Sequence, residues 1–393
     1  MEYANLAALE AAIAQGEGAA ELVAAAIQAY RQGEAYRQMV MAREHYENCS
    51  VVQEKINTHA QRSNVRLEIP LLRRLVDQKL HCVLAKPFGF TSESAGYAEA
   101  LRGIRGLEGA IWQGARDLVA LGCGYLMPCI DGEGRFRMDA VAPETLVPLW
   151  TPTGELTAGI RFSGGESTIS EAAYWNGTGV SYFVNHDGAL VADSERPGHQ
   201  KHFSLAGEAQ NWPAVPIAVI GNEGEACPLG YALAGLTDEL NWQASMLADA
   251  LREVPRFVYR LQNNGGTELD KLVTELREQL AVRLEGDGTL TGMAQEPAVA
   301  GTLRCLERGW RALYACAGAV DAAELGAVPI EQAEQRCLDL RGDCYRLAAA
   351  LRAALENMKP LLDAGIRLTG GEDYANGRFA VSFSSLLPGL EDL

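Results

Sequence analysis

The chain has 393 residues and 42.3 kDa, with 34 Lys and Arg against 51 Asp and Glu, for a formal net charge of -17. This length suggests two or three domains, and 48% hydrophobic content is enough for a real core, which excludes wholesale disorder. No run of about 20 apolar residues is free of charge or breakers, which excludes a membrane span; the acidic balance excludes a broad basic face that grips nucleic acid, but not a surface that touches DNA without holding it.

Residues 1–45 are Ala-rich and helical in pattern. Leu6, Leu9 and Ile13 recur at three and four, as do Val23, Ile27 and Tyr30. Gly16 and Gly18 divide this stretch into two helices. A third helix is expected across 66–85, where Ile69, Leu72, Val76 and Val83 fall at helical spacing; it stops before Lys86-Pro87, since the residue before proline is pushed out of the helical region. Residues 98–121 read as another helix, ending at Gly122 and Gly124.

The period then changes. Tyr125–Ile130 is a short apolar strand, Asp131-Gly132-Glu133-Gly134 a turn, and Arg135–Met138 the return strand. Short strands follow at Ala158–Phe162, Glu171–Trp175, Ser181–Val184 (with the turn Asn185-His186-Asp187-Gly188) and Ile217–Ile220. From Pro228 the chain turns helical again, with one stripe through Leu229, Leu233, Leu236, Leu240, Leu247 and Leu251 until Pro255. Residues 256–297 form a compact insert: a strand over Arg256–Leu261, the loop Asn263-Asn264-Gly265-Gly266, a helix over 267–280 and a strand pair around Gly286-Asp287-Gly288. A second helix covers 298–318, and a Gly- and Ala-rich break follows at Asp321–Pro329.

The strongest periodic signal comes next. Ile330, Ala333, Cys337, Leu340, Cys344, Leu347, Leu351, Leu355, Met358 and Leu362 step by three or four, which predicts a helix of ~35 residues, roughly 50 Å long. Pro360 is placed to kink its end. Such a length exceeds the ordinary globular helix of ~11–12 residues and suits a large assembly. A strand, Phe379–Phe383, and a proline-containing end close the chain.

Catalytic signatures are missing. There is no G-x-x-x-x-G-K-[ST], no G-x-G-x-x-G after a strand, no H-E-x-x-H and no G-x-S-x-G. The nine cysteines, Cys49, Cys82, Cys123, Cys129, Cys227, Cys305, Cys316, Cys337 and Cys344, are odd in number and scattered through apolar runs, as expected for core thiols in a reducing cytosol. Cys123 and Cys129 lack the tight double pair of a zinc site, so no metal is expected. His199 and His202 sit in a polar loop and read as surface histidines. The N-terminus, Met-Glu-Tyr-Ala-Asn, lacks the basic and apolar regions of a secretory signal. No active site and no cofactor are expected.

The order of these elements resembles the portal proteins of tailed bacteriophages, specifically those of siphophages of Gram-positive hosts, over residues 40 to 393. The resemblance rests on weak motifs in the right order. They are Glu44-His45-Tyr46-Glu47; the helix through Leu75-Val76-Asp77-Gln78-Lys79 ending at Ala85-Lys86-Pro87; Gly122-Cys123-Gly124-Tyr125 with its turn; and Pro143-Glu144-Thr145-Leu146-Val147-Pro148-Leu149-Trp150. Then come Val215-Pro216-Ile217 and Gly221-Asn222-Glu223 before a helix of L-x-D-x-x-N-x-x-x-S type, Leu236-Thr237-Asp238-Glu239-Leu240-Asn241-Trp242-Gln243-Ala244-Ser245, the most specific piece. The tail, Phe379 to Pro388, also resembles the family.

The resemblance implies an α+β portal-protein fold: an α/β wing, a two-helix stem, a small α/β clip insert and one long helix, with a crown short or absent. It assigns 1–227 to the wing, 228–255 and 298–319 to the stem helices, 256–297 to the clip and 320–329 to the tunnel loop. Residues 330–393 become the long helix and C-terminal wing strand, with a truncated crown. It further implies a homo-oligomeric ring, twelve subunits in the virion, at one capsid vertex. Through that ring double-stranded DNA passes in packaging and ejection. Its implied partners are the terminase large subunit, a head-completion or adaptor protein, and the major capsid and scaffolding proteins, with no membrane; assembly is in the host bacterial cytoplasm. The tunnel-loop residues Asp321, Ala322, Ala323, Glu324, Leu325 and Gly326 would lie along the DNA channel, with Asp321 and Glu324 nearest the DNA; the plain alternative is exposed loop carboxylates without a special role. Asn263, Asn264, Gly265 and Gly266 would stand at the clip, where terminase and connector dock. An acidic channel fits a conduit that must let phosphate slide. Two other classes stay open from the residues: a cytosolic enzyme of unknown chemistry, and an oligomeric scaffold without a DNA conduit.

Overall fold

The computed structural model describes residues 3–56, 63–165, 168–221, 228–253, 258–262, 268–279, 287–293, 299–321, 323 and 329–384. The chain divides into two compact units. The first comprises Met1–Cys49, Pro70–Gly235 and Leu313–Leu393; the second comprises Ser50–Ile69 and Leu236–Ala312.

In chain order the first unit opens with α1 (Tyr3–Gln15), α2 (Ala19–Gln32) and α3 (Glu34–Tyr46). Gly16 and Gly18 separate α1 from α2 as expected, and both take positive φ. A third helix follows because Gly33, extended at φ -67 and ψ 147, ends α2 and caps α3. The next helix, α4 (Leu71–Leu84), is shorter than the 66–85 read from periodicity. Ile69 precedes Pro70 and is steered out of the helical region, so 63–70 runs without helix. β1 (Gly89–Ser92) follows. The single helix expected over 98–121 is two, α5 (Ala95–Arg102) and α6 (Leu107–Leu121), parted at Gly103 to Gly106, where Gly106 takes φ +71.

The β-rich middle holds β2 (Gly124–Ile130), β3 (Phe136–Val141), β4 (Leu146–Trp150), β5 (Leu156–Gly164), β6 (Ile169–Asn176), β7 (Val180–His186), β8 (Ala189–Ala192), β9 (His199–Gln200), β10 (Phe203–Leu205), β11 (Glu208–Gln210) and β12 (Ala218–Ile220). β4 to β8 form an antiparallel meander in sequence order, with β9 pairing β7. Alternation buries one face of this sheet: Ile160, Phe162, Tyr174 and Phe183 close on Leu6, Leu9, Val23 and Ile27 of α1 and α2. That apolar face gives the N-terminal helices a surface on which to bury their own apolar stripes. A second, three-stranded sheet runs β12-β2-β3. It meets α6 so closely that a Cβ on Gly124 would lie 2.3 Å from the Gly114 carbonyl oxygen, so Gly124 cannot carry a side chain without moving a backbone, and a Cβ on Gly114 would lie 2.4 Å from the Ile220 side chain.

α7 (Leu229–Glu253), β13 (Val258–Gln262), α8 (Leu269–Gln279), β14 (Thr289–Met293) and α9 (Val299–Cys316) come next. Of the strand pair expected around Gly286-Asp287-Gly288, the residues through Gly286 lie outside the described residues; β14 pairs antiparallel with β13, Val258 opposite Met293.

The long C-terminal helix arrives in three segments, α10 (Ile330–Arg336), α11 (Leu338–Asn357) and α12 (Lys359–Leu368). Single residues interrupt it, Cys337 (φ -90, ψ 5) and Met358 (φ -77, ψ -8). The second break follows from Pro360, which offers no N–H to the Glu356 carbonyl and sits in the first turn of α12. Of the expected core positions, Cys337, Leu340, Cys344, Leu347, Leu351, Leu355, Met358 and Leu362 are buried and Ala333 is half-buried, while the Ile330 side chain lies outside the described ones. β15 (Phe379–Ser382) pairs antiparallel with β1, tying the tail to residue 89.

Candidate functional site

The start of the 320–329 break is fixed by α4. The Gln78 side-chain amide donates to the Val320 carbonyl at 2.7 Å, and its oxygen accepts the Val320 N–H at 3.0 Å. Both backbone groups of a residue 6% exposed are thus satisfied by one side chain. One turn position along, Lys79 is buried and ion-paired with Asp343 of α11, which also holds Arg346. Gly318, at φ +59, passes beside this pair; a Cβ there would fall 3.2 Å from the Asp343 carboxylate. Beyond Val320, the Ala323 N–H bonds back to the Asp321 carboxylate at 3.0 Å, a local turn that holds Asp321 at the head of the break. Ala322, Glu324, Leu325 and Gly326 lie outside the described residues, as do Asn263, Asn264, Gly265 and Gly266.

In the second unit the L-x-D-x-x-N-x-x-x-S run acquires a physical reason. The extended segment 63–69 lies along α7, and alternate amides meet successive turns of the helix. Val65 N–H bonds Asp249 at 2.7 Å, Leu67 N–H bonds the Ser245 hydroxyl at 2.8 Å, and Ile69 N–H bonds Asn241 at 3.0 Å. Two residues of extended chain rise about 6.6 Å and four of helix about 6 Å, so the registers stay matched over three rungs. Asp238 continues the set, accepting from the Ser50 hydroxyl and the Val51 N–H at 3.1 and 3.3 Å. Asn241 and Ser245 are 2% and 0% exposed. Lys55 pairs with Asp249; burial works against that carboxylate, yet Lys55 and the Val65 N–H together hold it below the ordinary range. Asp249 was legible as one more step of four after Asn241 and Ser245. Gln78 carried no comparable signal.

A third polar cluster joins α3, α6 and the Pro143–Thr145 turn. Arg43 grips Glu144 in a fork at 2.9 and 3.2 Å and reaches Asp117 at 3.0 Å, and Arg116 reaches the same Asp117 oxygen at 2.9 Å. Asp117 is fully buried, and among the described residues its Oδ2 has no hydrogen-bond partner. Burial raises its pKa against the pull of the two arginines. Glu144 belongs to the P-E-x-x-x-P step, so that motif too is structural.

The histidine expectation needs correction. His199 is exposed, bonded to Thr178 and Ser181 at 3.0 Å each, but His202 is 5% exposed. It stacks on Trp175 at 5.8 Å between centroids and 9° between planes. Its Nδ1 accepts the Trp212 N–H at 3.1 Å, so the proton sits on Nε2, which donates to the Asn176 carbonyl at 2.8 Å. Cys82, Cys123, Cys337 and Cys344 are buried thiols, while Cys49, Cys305 and Cys316 are exposed. Among the described residues no three His, Cys, Asp or Glu side chains converge to hold a metal, and no helix is long and apolar enough to cross a membrane.

These polar clusters hold helices, strands and loops of the described residues together. No curated protein matches the chain by sequence. Among solved structures, the fold is similar to a chain from the neck of an empty gene transfer agent (GTA) particle computed with C6 symmetry, at 14% identity, TM-score 0.50, covering 81% of this chain and 82% of that one. A chain from the virion of a native GTA particle aligns at 15% identity, TM-score 0.48, covering 82% and 81%. The profile described as phage portal protein, SPP1 Gp6-like, matches residues 29–299, from α2 to the start of α9. With the larger part of its length so matched, the chain belongs to the SPP1 Gp6-like family of phage portal proteins.

Proposed function

We propose that the chain is the portal subunit of a tailed-phage-like particle. Copies close into a ring at one capsid vertex, twelve in the virion, and double-stranded DNA enters through it in packaging and leaves through it at ejection. The family match over 29–299 carries this reading, and the neck of a particle is where the similar solved chain resides. The role is structural. Hydrolysis of ATP falls to a terminase large subunit docked at the clip, and a head-completion protein takes that place afterwards; capsid and scaffolding proteins surround the ring.

In this reading 1–227 is the wing, 228–255 and 298–319 the stem, 256–297 the clip and 320–329 the tunnel loop, with Asp321 and Glu324 nearest the DNA. The Gln78 anchor on Val320 supports it, because a loop that meets moving DNA needs a fixed base. An excess of 17 acidic groups per copy supports it too, since a passage must not hold phosphate.

Electron microscopy of the purified protein is the test. Rings with a central channel wider than B-DNA are expected. Monomers at high concentration would overturn the proposal, and rings narrower than the duplex would point to a scaffold instead.

A further inference from the structure

Arg304, Arg308 and Arg311 lie on α9 at i, i+4 and i+7, so one face of the helix carries all three. All are exposed. Among the described residues none of the three has a hydrogen-bond or ion-pair partner. Elsewhere in a chain with 17 more acids than bases, Arg43, Arg116, Arg135, Arg137, Arg196 and Arg346 each close on a carboxylate; what sets Arg304, Arg308 and Arg311 apart is that the three share one helix face.

The row stands opposite the face by which α9 packs. Gly309 is on that inner face, and a Cβ there would fall 2.7 Å from the Leu240 side chain of α7. Around the arginines the exposed neighbours Ala300, Gly301, Ala312 and Ala315 are small, so the guanidinium groups rise from a low surface. Glu307, one step to the side, is the one carboxylate in α9.

The row spans about 10 Å of helix. A DNA strand carries one charge per ~3.4 Å of axis, so each guanidinium can meet a different phosphate of one backbone. A helix from a second copy is the competing occupant. Among the described helices none carries three carboxylates at i, i+4 and i+7 to mirror the row. Charge complementarity therefore favours the nucleic acid.

We propose that Arg304, Arg308 and Arg311 form a phosphate-contact row that touches the backbone of double-stranded DNA, an inference that rests on the conduit reading above. The acidic remainder of the chain keeps the contact weak, so the duplex is guided without being held. The contact is blind to sequence, because phosphate carries no base information.

The test compares wild-type protein with R308Q and with R304Q/R308Q/R311Q. Each is titrated with a blunt mixed-sequence duplex over a range of salt concentrations, and each is imaged for rings. The plot of log affinity against log salt should become shallower by at least about one for the single variant and about three for the triple, with rings intact. Unchanged slopes with intact rings overturn the proposal. So does loss of rings in the triple variant, which would assign the row to contact between copies. A wild type that forms no rings sinks the conduit reading instead, and the slopes then still decide whether these arginines meet phosphate.

Discussion

The hydroxyl of Ser245, fully buried on α7, accepts the Leu67 N–H at 2.8 Å and donates to the Asn241 carbonyl at 2.7 Å. One side chain thus joins the extended segment 63–69 to the helix, midway between the Asn241 and Asp249 rungs. Ser245→Ala removes the acceptor and leaves an amide unmatched, at a cost of about 1–2 kcal/mol; Asn241→Ala should cost a similar amount by freeing Ile69 N–H. The two share a ladder, so the double variant should depart from additivity. Urea unfolding gives the energies, and hydrogen exchange at Val65, Leu67 and Ile69 reports the rungs. Unaltered exchange in Ser245→Ala would mean the ladder does not hold the segment.

Gln78 meets Val320 with both ends of its amide, and the two ends can be separated by substitution. Gln78→Ala strips both partners from the Val320 backbone and should cost about 2 kcal/mol. Gln78→Glu keeps an acceptor for the N–H but loses the donor to the carbonyl. The Val320 amide should therefore exchange fast in Gln78→Ala and stay protected in Gln78→Glu. Equal protection in both variants would show that burial alone, not the side chain, shields the amide.

Much of this fold was legible because apolar period is a direct record of burial. The stripe from Cys337 to Leu362 names buried positions correctly even though the helix breaks at Met358. What periodicity cannot register is backbone chemistry at single residues. Pro70 moved the start of α4 by five residues, and Gly103 to Gly106 split a helix whose apolar pattern runs on across the gap. Short strands such as β10 and β11, three residues each, hold too few positions for alternation to show. The Asn241–Ser245 motif could be recognised but not explained from sequence, because its partners are amides of residues 67 and 69, which have no side-chain signature. The burial of His202 is hidden for a related reason: its sequence neighbours are polar and point to the surface, while Trp175, 27 residues earlier, stacks on its ring and the Trp212 backbone N–H bonds its Nδ1.

That enclosure predicts a pH dependence. Burial lowers the pKa of His202 below the ordinary 6.5, against the hydrogen bond to Asn176, and both His199 and Lys201 nearby add to the lowering. His199, though exposed as a residue, is lowered as well, by partial desolvation of the ring, whose nitrogens bond Thr178 and Ser181, and by Lys201. A folded-state pKa below the unfolded value means the unfolded chain binds more protons in the window between them. The stabilising effect is therefore complete above about pH 6.5 and is lost as pH falls below it toward the folded-state value. Thermal unfolding followed from pH 7.5 downward should show a decline beginning near 6.5, and His202→Gln should flatten it while lowering stability throughout. A decline of the same size in His202→Gln would assign the acid sensitivity to other groups.

The Lys79–Asp343 pair should be asymmetric. Lys79 is 5% exposed, whereas Asp343 is partly open to solvent and keeps Arg346 as a second partner. Asp343→Leu leaves a buried ammonium without a counter-charge and should cost about 3 kcal/mol. Lys79→Met leaves a carboxylate that still has Arg346 and water, so its cost should be smaller, nearer 1 kcal/mol. The double variant removes both charges and replaces them with apolar groups against α4 and α11. It should recover much of the Asp343→Leu loss, because no uncompensated charge remains. A double-mutant cycle on urea unfolding measures the coupling directly. Costs that add within about 0.5 kcal/mol would show that the pair makes no energetic link between the two helices.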